Sequence, residues 1–336
     1  MGVGRRFVSG KRASRLEVWR RAWREAPSRR RALRYFLEYA AVRVWATVIG
    51  CFPIETNLRT ARWMGRIWWW LKPAHRQRAL DNLRPSLGDE YDERQLRSIA
   101  LGAFEHFAQL YLVELVMTPR LVTIWSWPRY IALGDIREPL RELLAPHGVI
   151  MITPHFGNFE LLGFTLAKLG LPLTAIMRPL DDPLINDYLI ASRAASGLEL
   201  LLKHGVSERA DAVIGGGGTL CFIADQDAGR KGVFSDFFGR KASWYKSIGL
   251  LAMRRNAPII VGYAARRRRG FRYDVHVERI IRPEEWAERD APLQWITDEY
   301  AAAMERCIRR HPEQYLWMHR RWKSRPRNER GPAANV

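Results

Sequence analysis

A histidine and a carboxylate lie five positions apart within the stretch Thr153 to Gly163, at His155 and Glu160. The residues before them, 148–153, are apolar and predict a short buried strand, and those after them predict a helix start. Such junctions are where α/β proteins often place their chemistry. The imidazole can accept a proton near neutral pH, and a carboxylate can hold its tautomer. The spacing alone is common, and such a pair usually forms a structural hydrogen bond.

Several familiar sites are excluded by the sequence. It has no G-x-S-x-G motif of the α/β serine hydrolases and no H-E-x-x-H of the zinc peptidases. Its three cysteines form no C-x-x-C pair, which excludes a zinc site of that kind and fits a reducing compartment. His155 is left as a general base on a substrate hydroxyl that attacks a thioester. Backbone N–H groups near Gly157 and Asn158 are candidate donors to the oxyanion.

A second stretch, Ile223 to Ser243, strengthens the interpretation of the first. The chain from about residue 35 to 326 resembles the lipid A biosynthesis acyltransferases, a family of the lysophospholipid acyltransferase superfamily. The motifs that carry the resemblance occur in the expected order. They are His155-x4-Glu160, Arg178-Pro179, Arg193, the box Asp225-Gln226-Asp227, the pair Phe237-Phe238, and the Trp- and Arg-rich residues 315–326.

The resemblance implies a role for each motif. His155 would be the general base and Glu160 its orienting partner. The arginines would contact anionic groups of the acceptor or the forming oxyanion, and the aspartates would shape the acceptor site or hold those arginines. Taken singly, such arginines more often form surface ion pairs, and aspartates after a strand more often cap a turn. The substrate-binding residues implied are Arg178, Arg193, Asp225, Gln226, Asp227 and Asn158.

The activity implied is transfer of a fatty acyl group to a hydroxyl of a lipid A precursor. The donor would be a thioester of acyl carrier protein or coenzyme A, with no metal and no other cofactor. A transferase for another glycolipid or phospholipid, such as a phosphatidylinositol mannoside, fits the same motifs. Asp236 and the bulky pair Trp244-Tyr245 depart from the usual family pattern, which leaves the acceptor and the acyl chain length open.

The charge of the chain favours an anionic partner. The formal net charge is +20, and much of the excess lies near the two ends, in residues 1–34 and 305–330. An anionic membrane surface, a nucleic acid and an acidic carrier protein are the candidates. No nucleic-acid-binding module accompanies the charge, so nucleic acid is not expected. A catalytically inactive membrane-association protein is the remaining hypothesis.

Apolar and aromatic residues follow the basic N-terminus directly. Four tryptophans between residues 63 and 70 lie beside arginines, which is typical of the membrane headgroup layer and also of a helix packed on a core. Residues 35–54 are about long enough to cross a bilayer, but Glu38 and Arg43 interrupt them. We expect a membrane-seated helix there, with a tilted single span as the alternative. The location expected is the cytoplasmic face of a bacterial inner membrane.

The order of apolar segments predicts a helical part followed by an α/β part. Helices are expected over 35–118, with breaks at Pro73 and Pro85 and the longest helix from about 92 to 117. From about residue 146, strands alternate with helices, which predicts a largely parallel sheet covered by helices. The expected strands are 149–153, 173–177, 219–224 and 259–264, with an edge strand at 271–280. The expected helices are 158–169, 183–196, 207–214, 246–256 and 292–310.

Four segments follow from this pattern. They are a basic N-terminal extension (1–34), a helical membrane-associated segment (35–118), an α/β acyltransferase domain (119–326) and a tail (327–336).

Overall fold

A seven-stranded sheet lies at the centre of the chain. The computed structural model describes residues 15–177, 179–202, 206–268 and 270–326. The strands are β1 (Ile131–Leu133), β2 (Val149–Thr153), β3 (Leu173–Met177), β4 (Glu199–Leu202), β5 (Thr219–Ile223), β6 (Val233–Phe237), β7 (Arg240–Trp244), β8 (Ile259–Arg266) and β9 (Tyr273–Ile281). The sheet order is β1-β9-β8-β2-β5-β3-β4, and β6 and β7 form a separate antiparallel hairpin. All neighbours in the sheet are parallel except β8 and β9, which confirms the predicted fold class.

Helices flank the sheet and make up the N-terminal third of the chain. They are α1 (Arg15–Glu25), α2 (Arg29–Gly50), α3 (Ile54–Leu71), α4 (Pro73–Leu87), α5 (Glu93–Gln109), α6 (Leu115–Leu121), α7 (Trp127–Tyr130), α8 (Arg137–Leu144), α9 (Phe159–Lys168), α10 (Pro183–Ala194), α11 (Val206–Gly215), α12 (Lys246–Arg255), α13 (Pro283–Trp286) and α14 (Pro292–Arg310). A π-helical segment (Leu110–Glu114) joins α5 to α6, and a 3₁₀ turn (Pro312–Gln314) follows α14.

The predicted strands agree closely with the observed ones. Strands β2 and β3 have the predicted bounds, and β5 and β8 begin where expected. All five residues of β2 are buried, as a parallel strand covered on both faces requires. The prediction of an edge strand at 271–280 is wrong, because β9 lies between β8 and the short strand β1.

The helical part also follows the sequence pattern, with one exception. Helix α5, the π-helical segment and α6 form a continuous helix over 93–121, close to the predicted 92–117. Asp92 and Gln95 form a capping box at its start, with Asp92 Oδ1 accepting from the Gln95 N–H at 2.8 Å. Pro73 opens α4, but Pro85 lies inside that helix, whose last residue is Leu87. A proline so close to a helix end removes one hydrogen bond without ending the helix.

One helix in the described ranges, Glu93–Leu121, is long and apolar enough to cross a membrane. Its most apolar window is 56% buried inside the protein, and core helices of soluble proteins pass the same test. The predicted segment 35–54 does not meet that criterion. It falls largely within α2, which leaves Leu37 and Val44 exposed to solvent.

The tryptophan cluster divides between core and surface. Trp69 is buried and contacts the Phe104 ring at 5.3 Å, so this part is helix packing. Trp63 and Trp70 are exposed, together with other large apolar side chains of the first three helices.

The loop 154–158, which carries His155, is held by neighbouring backbone on two sides. Gly157 donates its N–H to the carbonyl of Gln314 at 3.1 Å, and Asn158 donates to that of Ala264 at 2.9 Å. Gly157 has φ +57, a conformation that favours glycine. A Cβ there would overlap the carbonyl oxygen of Ala264.

Gly157→Ala should therefore destabilise the protein by more than about 1 kcal/mol, because the left-handed conformation alone costs about that much and the overlap adds to it. The shift in the denaturant midpoint measures the change. Gly163→Ala is the matched control, since Gly163 lies in α9 and the nearest atom to an added Cβ is Leu198 Cδ2 at 3.9 Å. Equal midpoints for the two variants would contradict the prediction.

A buried histidine also supports this loop. His106 Nε2 lies 3.0 Å from the Gly157 carbonyl oxygen, and Arg266 Nε donates to Nδ1 of the same ring at 3.3 Å. Because Nδ1 accepts, the proton sits on Nε2 and the ring is neutral. Complete burial, reinforced by the charge of Arg266, lowers the pKa of His106 to about 3.

The low pKa of His106 predicts a loss of stability in acid. Between about pH 6.5 and 3 the unfolded chain takes up a proton on this residue and the folded protein does not. The free energy of unfolding should then fall as the pH falls, by up to about 1.4 kcal/mol per pH unit. His106→Gln keeps an N–H donor for Gly157 but does not titrate. The stability difference between the two proteins should therefore change across this pH range, and parallel stability curves would contradict the assignment.

Candidate active site

The register of two parallel strands brings His155 and Asp225 together. In the pairing of β2 with β5, Thr153 lies opposite Ile223. His155 and Asp225 each follow two residues later, at the carboxyl edge of the sheet. Side chains from neighbouring parallel strands meet at this edge, where open α/β sheets place their ligands.

Both carboxylate oxygens of Asp225 form hydrogen bonds with His155. Oδ1 lies 2.7 Å from His155 Nδ1, and Oδ2 accepts the backbone N–H of His155 at 3.0 Å. Burial opposes ionisation of Asp225, but the charge and hydrogen bonds of His155, together with Arg321, outweigh it and hold the pKa of the carboxyl below its usual range. Because an ionised carboxylate only accepts hydrogen bonds, Nδ1 carries a proton, and Nε2 makes no hydrogen bond to the part of the chain that the structure describes.

The expected contact between His155 and Glu160 is not present, because Asp225 occupies the place beside the imidazole. Glu160 lies in the first turn of α9, and its carboxylate accepts two hydrogen bonds from Arg193 on α10, one of them from Nε at 2.9 Å. The helix directs Glu160 towards α10, whereas the strand register places Asp225 beside the imidazole. The ring is thus oriented by Asp225, and Glu160 forms an ion pair with Arg193.

The remaining predicted residues have varied surroundings. Asp227 accepts from Ser324 Oγ at 2.9 Å and so holds the C-terminal segment rather than an arginine. Gln226 is exposed in the same loop. Arg178 lies outside the described residues. Phe237 and Phe238, the paired phenylalanines of the family motif, are both buried in the aromatic core.

Asn158, predicted to bind substrate, caps helix α9. Its Oδ1 accepts from the Leu161 N–H at 2.8 Å and caps α9, while its Nδ2 donates to Glu114 at 2.8 Å. The backbone N–H groups of Asn158 and Gly157 both donate to carbonyl groups. These two N–H groups, expected to face an oxyanion, are therefore already occupied.

A buried ionic network behind the loop was not predicted. Glu114, in the π-helical segment, is fully buried and forms an ion pair with Arg266 at the end of β8. Since Glu114 also accepts from Asn158, the network connects the helical part of the chain to the cap of α9. The only indication in the sequence was Glu114 itself, a single glutamate within the mostly apolar residues 107–117.

Two residues of the C-terminal segment were also missed. The His319 ring lies nearly parallel to that of His155, with ring centroids 6.1 Å apart. Arg321 is buried, donates to the Ser243 carbonyl at 2.6 Å and stacks on the Trp244 ring at 4.0 Å. The sequence marked this region only as rich in tryptophan and arginine.

An apolar cleft opens beside the histidine. Phe159 contacts the His155 ring edge-on at 5.3 Å and also lines the cleft, and the Glu160–Arg193 pair forms part of its wall. The apolar lining comes from β2, β3, β4, β5 and α9. It includes Ile152, Phe159, Leu162, Ile176, Leu200 and Phe222. Within the described ranges, no group of three His, Cys, Asp or Glu side chains could hold a metal ion.

Comparison with known proteins agrees with the resemblance. A family model described as bacterial lipid A biosynthesis acyltransferase matches residues 25–324. The lipid A biosynthesis lauroyltransferase of Escherichia coli (strain K12) is 27% identical over 248 residues, which is 70% of this chain and 76% of that protein. The lipid A biosynthesis acyltransferase of Haemophilus influenzae is 24% identical over 326 residues, 90% and 94% of the two chains.

A third relative, the lipid A biosynthesis palmitoleoyltransferase of Escherichia coli (strain K12), is 27% identical over 217 residues, 61% of this chain and 67% of that protein. The family match covers nearly the whole chain, including the histidine loop, the Asp-Gln-Asp box and His319. The protein is therefore an acyltransferase that belongs to the bacterial lipid A biosynthesis acyltransferase family.

Proposed function

We propose that this protein transfers a fatty acyl group from a thioester to a hydroxyl of a lipid A precursor, with His155 as the general base. The observation that carries the proposal is the His155–Asp225 pair, because it engages Nδ1 and leaves Nε2 without a hydrogen bond to the described residues, at the carboxyl edge of the sheet. The names of the relatives support the acceptor class. The mechanism calls for no metal and no cofactor beyond the thioester co-substrate.

The chemistry needs a single proton carrier. His155 Nε2 takes the proton of the acceptor hydroxyl as its oxygen forms a bond to the thioester carbon. The carbonyl becomes a tetrahedral oxyanion, and its collapse breaks the carbon–sulfur bond. The imidazolium returns the proton to the departing thiolate, so the products are an ester and a thiol. Asp225 stabilises the imidazolium between these steps and keeps its ionised form throughout.

The acceptor is proposed to bind beside the charged and polar residues of the site. Arg193 and Arg178 are proposed to attract the anionic groups of the acceptor, with Glu160 fixing the guanidinium of Arg193. Asp227 and Gln226 lie in the loop after β5 and would form a wall of the acceptor site. The apolar cleft beside Phe159 is proposed to receive the acyl chain.

The donor is assigned to the basic surface around the C-terminal segment. Arg320, Lys323 and Arg325 are exposed and close in sequence to His319, and Arg230 and Lys231 are exposed in the loop that Ser243 holds through the Gly229 carbonyl. Acyl carrier protein and coenzyme A are both anionic, so this surface suits either thioester.

Membrane association is proposed through the first three helices. Trp23, Trp63 and Trp70 are exposed there, and α1 and α2 are rich in arginine. Exposed aromatic rings and cations favour an anionic headgroup layer. We place the protein on the cytoplasmic face of the bacterial inner membrane, where both thioester donors are available.

The deciding experiment offers labelled acyl carrier protein and coenzyme A thioesters in parallel to detergent-purified protein, with a tetraacylated lipid A precursor as acceptor. We expect label in the lipid with at least one donor.

His155→Ala should lower turnover by about two to four orders of magnitude. Absence of label with both donors would refute this acceptor and direct the search to another glycolipid or phospholipid, and normal turnover in His155→Ala would refute the general base.

The partner of His155 can be tested separately. Asp225→Asn should lower kcat by about two to four orders of magnitude, because the amide can donate to Nδ1 and hold the wrong tautomer. Glu160→Gln should cost less and act mainly on the KM of the acceptor, because it weakens the contact with Arg193 and leaves the imidazole in place. Steady-state kinetics of both variants give the comparison. A severe kcat loss in Glu160→Gln with near-normal Asp225→Asn would restore Glu160 as the orienting partner.

A further inference from the structure

The backbone of His319 is held by hydrogen bonds, whereas its side chain forms none within the described residues. Asn82 Nδ2 donates to the carbonyls of Trp317 and His319, at 2.7 and 3.0 Å, and the His319 N–H donates to the Leu316 carbonyl at 3.1 Å. Within the described part of the chain, neither ring nitrogen of His319 makes a hydrogen bond. The half-buried ring instead lies nearly parallel to the His155 ring, at 6.1 Å and an interplanar angle of 17°.

The reaction proposed above needs a donor that the histidine loop does not supply. Oxyanion stabilisation is usually a large part of catalysis in acyl transfer. The N–H groups of Gly157 and Asn158 are bonded to the carbonyls of Gln314 and Ala264. Among the described residues, the nearby arginines offer no accessible free donor, since Arg193 is paired with Glu160 and Arg321 is buried together with its unbonded Nε and Nη2.

The surroundings of His319 keep its ring neutral. Burial is the main cause that lowers its pKa, and the charges of His155 and Arg321 act in the same direction, while Asp225 and Asp227 oppose them. Two adjacent imidazoles resist being cationic together, and His155 must become cationic during the reaction. A neutral imidazole still has one N–H group to donate.

We propose that His319 is a second catalytic residue, which donates an N–H hydrogen bond from its neutral ring to the oxyanion of the tetrahedral intermediate. This inference rests on the proposed function of the site. A general base acts at about 2.6–3.2 Å from the hydroxyl oxygen, and an oxyanion donor at about 2.7–3.1 Å from the developing charge. Two parallel rings 6.1 Å apart can therefore contact two oxygens on one carbon, His155 the attacking hydroxyl oxygen and His319 the carbonyl oxygen.

The proton balance is unchanged by this assignment. His155 carries the proton from the acceptor hydroxyl to the leaving thiolate, and His319 keeps its own proton from beginning to end. Its hydrogen bond strengthens as negative charge develops on the carbonyl oxygen and weakens when the carbon–sulfur bond breaks. Such a contact favours the intermediate over the bound substrate and therefore acts on kcat.

The test compares two replacements of His319 in the full chain. His319→Phe keeps a ring without a donor, and His319→Gln keeps an amide donor. We expect His319→Phe to lower kcat by about two to three orders of magnitude with little change in the KM of the acceptor. The competing hydrolysis of the thioester should fall by the same factor, since water attack forms the same oxyanion. His319→Gln should recover part of the loss.

His147→Phe is the matched control, because His147 precedes β2 at the opposite edge of the sheet and should leave both rates unchanged. Unaltered kcat in His319→Phe, or a rise in acceptor KM with normal hydrolysis, would overturn the assignment. If His319→Phe fails to fold, His319→Gln and His319→Leu give the same comparison, and equal kcat in those two would overturn it. Failure of the proposed function is distinct, since wild-type protein would then transfer no acyl group.

Discussion

The register between β2 and β5 is the constraint on which the site depends. These strands are parallel neighbours, and His155 and Asp225 extend them by the same number of residues past the pair Thr153 and Ile223. Side chains alternate between the faces of a sheet, so a shift of one residue would turn the imidazole and the carboxylate apart. The short hydrogen bond between them is thus secured by burial of the central strands, since every residue of β2 is buried.

The buried pair of Glu114 and Arg266 gives the same loop a second anchor. Removing two charges from water costs free energy that their attraction does not always recover, so this pair is not a strong source of stability. Its additional hydrogen bond to Asn158 gives it a positional role, because Asn158 caps the helix that begins directly after the loop. The π-helical segment that carries Glu114 is a local departure of the kind often found near functional sites.

Much of the sheet could be predicted because its central strands are continuous apolar runs between helical segments. Strand β1 has only three residues and was not predicted. Without it, β9 was expected at the edge of the sheet, a position that β1 occupies. For the site, closeness in sequence favoured Glu160 as the partner of His155. The better indicator was the equal offset of His155 and Asp225 from the ends of two apolar runs, but using it requires knowing that the runs are adjacent. His319 had no comparable signal, since its contact with His155 spans more than 160 positions.

The backbone of the histidine loop also has a consequence for the order of assembly. The His155 carbonyl accepts from the Leu316 N–H, and Phe156 pairs with Tyr315, so residues beyond the last helix complete the loop. A ribosome makes these residues after every strand of the sheet. The nascent chain can therefore bury its central strands while the histidine loop still lacks part of its support, and the loop is complete only when the final segment packs against the finished sheet.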